Sequence, residues 1–155
     1  MKFIADAMLG RLAKWLRLLG FDVLYYPDIE DREVIRISRE QDRTILTRDT
    51  RMLQCSGARD AVFIRSDHLS EQLLDMKNML DLRDSDRAVR CIVCNGNLHE
   101  VSDRGEVQDL VPDYVYHNFR SFMRCNGCGK VYWEGSHYKK IRKRTSEILR
   151  KSNED

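Results

Sequence analysis

Apolar residues follow two alternating rhythms along the first ninety positions of the chain. Short apolar runs at Lys2–Ala5, Phe21–Tyr26, Thr44–Thr47 and Ala61–Arg65 read as buried strands. Stripes at helical spacing lie between them. Met8, Leu9, Leu12, Ala13, Leu16 and Leu19 form the first and stop at Gly20, a residue suited to the position just past a helix end. Val34, Ile35 and Ile37 form the second, from Asp31 to about Gln41, with Asp31 available as N-cap. A helical turn near Thr50–Gln54 and a helix from about Ser70 to Leu80 complete the order β-α-β-α-β-α-β-α. This alternation predicts the α/β class, with a Rossmann-like parallel sheet covered by helices on both faces.

Sheets of that kind bind ligands beyond the carboxyl ends of their strands, where the strand order reverses. Asp6 follows the first strand, Asp28 and Asp31 the second, Asp49 the third and Asp67 the fourth. One aspartate after a strand is ordinary turn or capping chemistry, but one after every strand suggests a shared purpose. Carboxylates brought to one rim repel each other unless a cation neutralises them, and Mg²⁺ or Mn²⁺ prefers such oxygen ligands. The implied reaction is metal-assisted phosphodiester hydrolysis. Asp6 and Asp49 lead the candidate ligands. Asp31 is the third, with the N-cap as its alternative role, while Asp28 and Asp67 rank lower. Arg11, Lys14 and Arg17 recur every three residues on the first helix, either guiding a phosphate backbone or serving as solvated charge. Arg48, beside Asp49, either clamps a phosphate or pairs with a carboxylate.

The second half has a different character. Cys91-x-x-Cys94 and Cys125-x-x-Cys128 are two turns able to set four thiolates around one tetrahedral Zn²⁺. A disulfide pair or an iron site are the alternatives; the paired spacing is that of zinc ribbons, and intracellular disulfides are rare. Gly96 and Gly129 are placed to supply positive φ in the knuckles. A zinc saturated by four thiolates has no open position, so the chemistry belongs to the residues before Cys91. Residues 95–124, between the knuckles, are expected to form hairpins, and the ribbon to be separable from the carboxylate site. Cys55 reads as a free thiol, and His68, His99 and His117 lack metal-ligand spacing.

Charge changes this picture only at the end of the chain. The net charge is +2 over 155 residues, yet residues 118–155 carry 10 basic groups against 4 acidic ones, and residues 91–117 carry 1 against 5. Lys139, Lys140, Arg142, Lys143, Arg144, Arg150 and Lys151 lie near Tyr132, Trp133 and Tyr138. Such a segment offers phosphate contacts and stacking faces, or else is a solvated helix end. No apolar run approaches the roughly 20 residues of a membrane span, and the chain opens directly into strand-like text. A cytoplasmic protein without membrane association is expected.

The run Phe3-Ile-Ala-Asp-Ala-Met-Leu-Gly-Arg-Leu-Ala-Lys-Trp-Leu-Arg-Leu-Leu-Gly-Phe-Asp22, with Leu46-Thr-Arg-Asp49 and Val131-Tyr-Trp-Glu-Gly-Ser-His137, resembles a known family. It is similar to the PIN-like RNase domain that also forms the C-terminal part of the Mut-seven exonuclease, a nuclease fold followed by a zinc ribbon. The resemblance spans roughly residues 1–145. It implies a PIN-type fold, Mg²⁺- or Mn²⁺-dependent cleavage of RNA, and acidic catalytic residues at Asp6, Asp49 and Asp31; a fourth acid of many PIN nucleases has no counterpart here. It also singles out Gly135-Ser136-His137, with His137 either touching RNA or bonding structurally. The domains expected are a nuclease at 1–86, a ribbon at 87–138 and a basic helix or tail at 139–155. The function expected is that of an endoribonuclease whose RNA contacts include Arg11, Lys14, Arg17, Arg48, His137, Lys139, Lys140 and Arg142. The alternative is a non-catalytic RNA-binding or ribosome-associated factor that keeps the fold.

Overall fold

The computed structural model describes residues 1–58, 60–80, 88–134 and 136–151, except for the side chains of 136–139, 141, 142, 149 and 151. Four strands, β1 (Lys2–Ala5), β2 (Asp22–Tyr25), β3 (Thr44–Thr47) and β4 (Val62–Phe63), form one all-parallel sheet in the order β2-β1-β3-β4. The strands alternate with α1 (Gly10–Leu18), α2 (Asp31–Gln41) and α3 (Leu69–Met76). β1 shows why both sheet faces must be covered: successive side chains point to opposite faces, and all of Phe3, Ile4 and Ala5 are buried. Phe3 and Ala5 join Leu9, Leu12, Leu16, Leu73 and Met76 on the α1 and α3 face. Ile4 joins Val34, Ile37, Ile45 and Met52 on the α2 face.

Helix ends follow local chemistry. α1 stops where Gly20 takes φ +86, with its N–H donating to Arg17 O and Phe21 N–H to Leu16 O, a Schellman closure. α2 begins one residue earlier than an Asp31 cap would require. Glu30 occupies the cap position, no side chain caps the helix, and Asp31 is its first helical residue, where its charge faces the positive end of the dipole. The fourth strand is trimmed from the expected Ala61–Arg65 to two residues, and α3 ends at Met76 rather than Leu80.

After the described chain resumes at residue 88, a second sheet forms from β5 (Leu98–Glu100), β6 (Phe122–Cys125) and β7 (Val131–Trp133), antiparallel in that order. The domain boundary expected at 86/87 lies outside the described residues. The stretch between the knuckles is not made of hairpins alone. It contains a 3-10 turn at Arg104–Val107 and the short helix α4 (Asp113–Asn118), which bury Val107, Val111 and Val115 against Phe122 and Val131. Arg104, the one cation in the acidic stretch 91–117, ties this insertion together. It donates to the carbonyls of Tyr116 and Phe119 and stacks 4.7 Å from the Tyr116 ring centre. Glu100, Asp103, Glu106, Asp109 and Asp113 are left exposed on the outside.

α5 (Ser136–Lys151) does not trail away as a tail. It packs on α3, with Ile148 against the α1/α3 core and Thr145 buried. The ribbon is therefore inserted between two parts of one larger packing unit.

Candidate active site and zinc knuckle

The strand order reverses at β1, which has β2 on one side and β3 on the other, so the crevice rule selects the carboxyl ends of β1 and β3. Asp6 leaves β1 there, its N–H continuing the ladder to Leu46 O at 3.0 Å. Its carboxylate is nearly buried, 5% exposed, and fully oriented. Oδ1 accepts the Met8 N–H at 2.8 Å, capping the 3-10 turn Ala7–Leu9. Oδ2 accepts the Thr47 hydroxyl at 2.6 Å and the Arg48 N–H at 2.7 Å. Each carboxylate oxygen has two lone pairs, so these bonds leave one free on Oδ1 for a cation.

Thr47 joins the two leading candidates. Its hydroxyl donates to Asp6 and accepts the Asp49 N–H at 2.9 Å, and the residue is completely buried. It is a positioning residue that sequence reasoning missed. The available signal was a hydroxyl at the last position of a strand otherwise read as apolar, two residues before a carboxylate.

Asp49 carries its own cation. Arg51 donates its backbone N–H at 2.9 Å to Asp49 Oδ1 and its guanidinium at 2.8 Å to Oδ2. The guanidinium, and then the backbone bond, hold the Asp49 carboxyl below the ordinary carboxylate range. Arg51 is itself largely exposed, and its charged form is favoured first by Asp49 and further by Asp31. Asp31 sits exposed at the start of α2, beyond β2. Arg51 was absent from the sequence candidates.

The remaining candidates are distributed unevenly. Arg48 is half-buried, and its Nε has no hydrogen-bond partner among the described residues. Arg11, Lys14 and Lys140 are exposed. Asp28 is exposed, and Asp67 faces solvent beside His68. The side chains of His137, Lys139 and Arg142 lie outside those described. Arg17 requires correction: it is 3% exposed and contacts the ribbon, so it offers no surface to RNA.

The cysteine quartet forms the expected metal centre. The sulfurs of Cys91, Cys94, Cys125 and Cys128 lie within 4.8 Å of one another, with Cys91–Cys128 at 3.6 Å and Cys94–Cys125 at 3.3 Å. A Zn–S bond of about 2.3 Å sets tetrahedral sulfurs about 3.8 Å apart, so the cluster fits zinc. Among the described residues it is the only group of three or more ligating side chains gathered this closely. Asp6, Asp31 and Asp49 are not drawn together to that degree, and Arg51 holds the carboxylate of Asp49. Burial opposes a charge on Cys91, yet Tyr132 Oη at 3.0 Å and the Cys94 and Val93 N–H groups bring the thiol down to about 6. Cys94 is pushed up to about 12 by burial and by sharing a proton with Cys125.

The knuckle glycines behave differently from each other. Gly129 has φ +76, but in the first knuckle Asn95 takes the positive φ of 67. Gly96 is needed for space, since a Cβ there would lie 2.8 Å from Cys125 Sγ and 3.1 Å from Cys94 Sγ.

Asn95 also docks the knuckle onto the parallel sheet. Its Oδ1 accepts the Val23 N–H at 3.0 Å on the edge strand β2, and its Nδ2 donates to Asp22 at 2.7 Å. Asp22 pairs with Arg43 at 2.6 Å and lies 3.8 Å from Arg90. Burial works against its ionisation, but the bonds from Arg43 and Asn95 outweigh it and hold its carboxyl below the ordinary range. These bonds join the ribbon to the edge of the sheet.

Among known proteins, the family model described as Mut7-C RNAse domain matches residues 1–145. No curated protein and no solved structure matches the chain.

Proposed function

The chain belongs to the Mut7-C RNAse domain family, and from that membership we propose that it is a Mg²⁺- or Mn²⁺-dependent endoribonuclease whose site is the rim between β1 and β3. The observation that carries this reading is the shared Thr47 hydroxyl, which fixes Asp6 and Asp49 together at the point of strand-order reversal. Asp6, Asp49 and Asp31 would hold the metal. The free lone pair of Asp6 and the cation already drawn to Asp49 support the fit. When bound, a hard divalent ion supplies activation of water and charge stabilisation at the phosphate. Asp6 itself is kept oriented by three hydrogen bonds, so it needs no reorganisation to act. Arg48, whose backbone N–H bonds the Asp6 carboxylate, is the cation of this rim that we assign to a phosphate oxygen. Arg11 and Lys14 on α1 and the basic face of α5 extend the contact along the RNA backbone.

RNA cleavage with Mn²⁺ tests this directly. The wild type is expected to cut an internally labelled RNA, and Asp6→Asn and Asp49→Asn each to reduce the rate at least about 100-fold while remaining folded. Undiminished cleavage by both variants would sink the proposal. The rival reading, an RNA-binding factor without turnover, draws on the Arg51 guanidinium that occupies Asp49; it requires RNA binding with no cleavage in any divalent metal.

A further inference from the structure

Arg17 presents a problem of charge. Its guanidinium is buried, and its hydrogen bonds go to three carbonyl oxygens: Val23 at 2.9 Å within its own module, and Ile92 at 2.8 Å and Val93 at 3.2 Å in the first knuckle. Its own carbonyl accepts the Arg90 N–H at 3.0 Å, so backbone and side chain both grip the segment leading into the knuckle. Carbonyl dipoles orient a guanidinium but do not neutralise it, and a buried cation without an anion is strongly unfavourable. Asp22, a carboxylate of this junction, is already engaged by Arg43, Asn95 and Arg90. The two knuckle carbonyls that Arg17 holds belong to Ile92 and Val93, the residues between Cys91 and Cys94, so its guanidinium lies against the turn that carries two of the four sulfurs. The same turn is held from its other side by the Tyr132 phenol, 3.0 Å from Cys91 Sγ and accepting the Ile92 N–H at 3.2 Å.

We infer that Arg17 is the counter-charge of the zinc centre, supplied across the module boundary by α1 of the nuclease fold. Four thiolates on one Zn²⁺ leave two net negative charges, and one buried guanidinium beside them offsets part of that excess while losing its own isolation. The pairing is reciprocal: zinc binding stabilises the position of Arg17, and Arg17 strengthens zinc binding by the same factor. The inference rests on the zinc centre and the junction geometry alone, so it stands whether or not the chain cleaves RNA.

The test is zinc affinity of the full chain, measured by competition with a chromophoric chelator. Outer-sphere partners of metal ligands are worth about 10–100-fold in affinity. Arg17→Met is expected to bind zinc at least about tenfold more weakly than the wild type. Arg17→Lys keeps the charge and loses the three-carbonyl fork, and is expected to lose less than about tenfold. If Arg17→Met does not fold, Arg17→Gln replaces it as the neutral variant. Undiminished zinc affinity in the neutral variant overturns the inference. So does an equal loss in Arg17→Lys, which would assign Arg17 a purely hydrogen-bonding role.

Discussion

Asp6 and Asp49 are held by one hydroxyl: Thr47 Oγ1 donates to Asp6 Oδ2 at 2.6 Å and accepts the Asp49 N–H at 2.9 Å. Removing that hydroxyl while keeping the shape separates the bond from the packing. Thr47→Val leaves the half-buried Asp49 N–H and one Asp6 lone pair without their partner, at a cost of about 1 kcal/mol in urea unfolding. RNA cleavage is expected to fall about tenfold or more, with Thr47→Ser largely restoring it. Wild-type cleavage by Thr47→Val would remove Thr47 from the site.

Arg51 and a divalent metal compete for Asp49. Arg51→Gln removes the guanidinium while its backbone N–H bond to Asp49 persists. The metal concentration needed for half-maximal cleavage is expected to fall several-fold, about the effect of one neighbouring charge. A rise in that concentration would show that Arg51 assists metal binding instead.

The junction around Asp22 gives the protein a sensitivity to acid. Arg43 and Asn95 bring the folded Asp22 pKa below its unfolded value. The unfolded state therefore takes up a proton first as pH falls. The stabilisation is complete above about 4 and is lost as pH drops through the lower folded value. Asp22→Asn is expected to be less stable than the wild type near neutrality and to converge with it in acid. Parallel stability–pH curves for the two proteins below about pH 5 would contradict this.

The final helix is a structural part of the nuclease fold. Ile148 packs against the core that contains Leu12, Leu16 and Leu73. Ile148→Asp is expected to lower the thermal midpoint of the whole chain by several degrees, as about 1–2 kcal/mol does for a domain of this size. Truncation before Ser136 is expected to have a larger effect. If truncation weakened RNA binding with no change in the melting curve, α5 would be only an appendage.

The sequence rhythm located β1 and β3 to the residue because each is short and buries its last three residues, leaving little room for another register. β4 came out shorter because Ala61 and Arg65 have no partner on β3, whose pairing with it covers only Leu46 and Thr47. Asp6 and Asp49 were legible from the rule that strand ends carry function. Thr47 was not, because a threonine in a strand is ordinary and only the tertiary structure shows what its hydroxyl meets. Arg17 failed for a related reason. Its i, i+3 spacing with Lys14 places it on one side of a helix, but a spacing pattern cannot tell that another module covers that side. Likewise, Asn95-Gly96 signalled a turn without revealing that Asn95 takes the left-handed conformation and uses its amide as an edge-strand partner.

The return of α5 to α3 has a consequence for the order in which the protein is made. The core around Leu12 is supplied by segments that precede both cysteine knuckles, yet Ile148, which also packs on it, follows them along the chain. A growing chain therefore leaves this hydrophobic face incompletely covered until the segment beyond the second knuckle emerges and docks. The α1/α3 side of the parallel sheet is completed from both sides of the ribbon, so its last contact waits on residues far along the chain from its first.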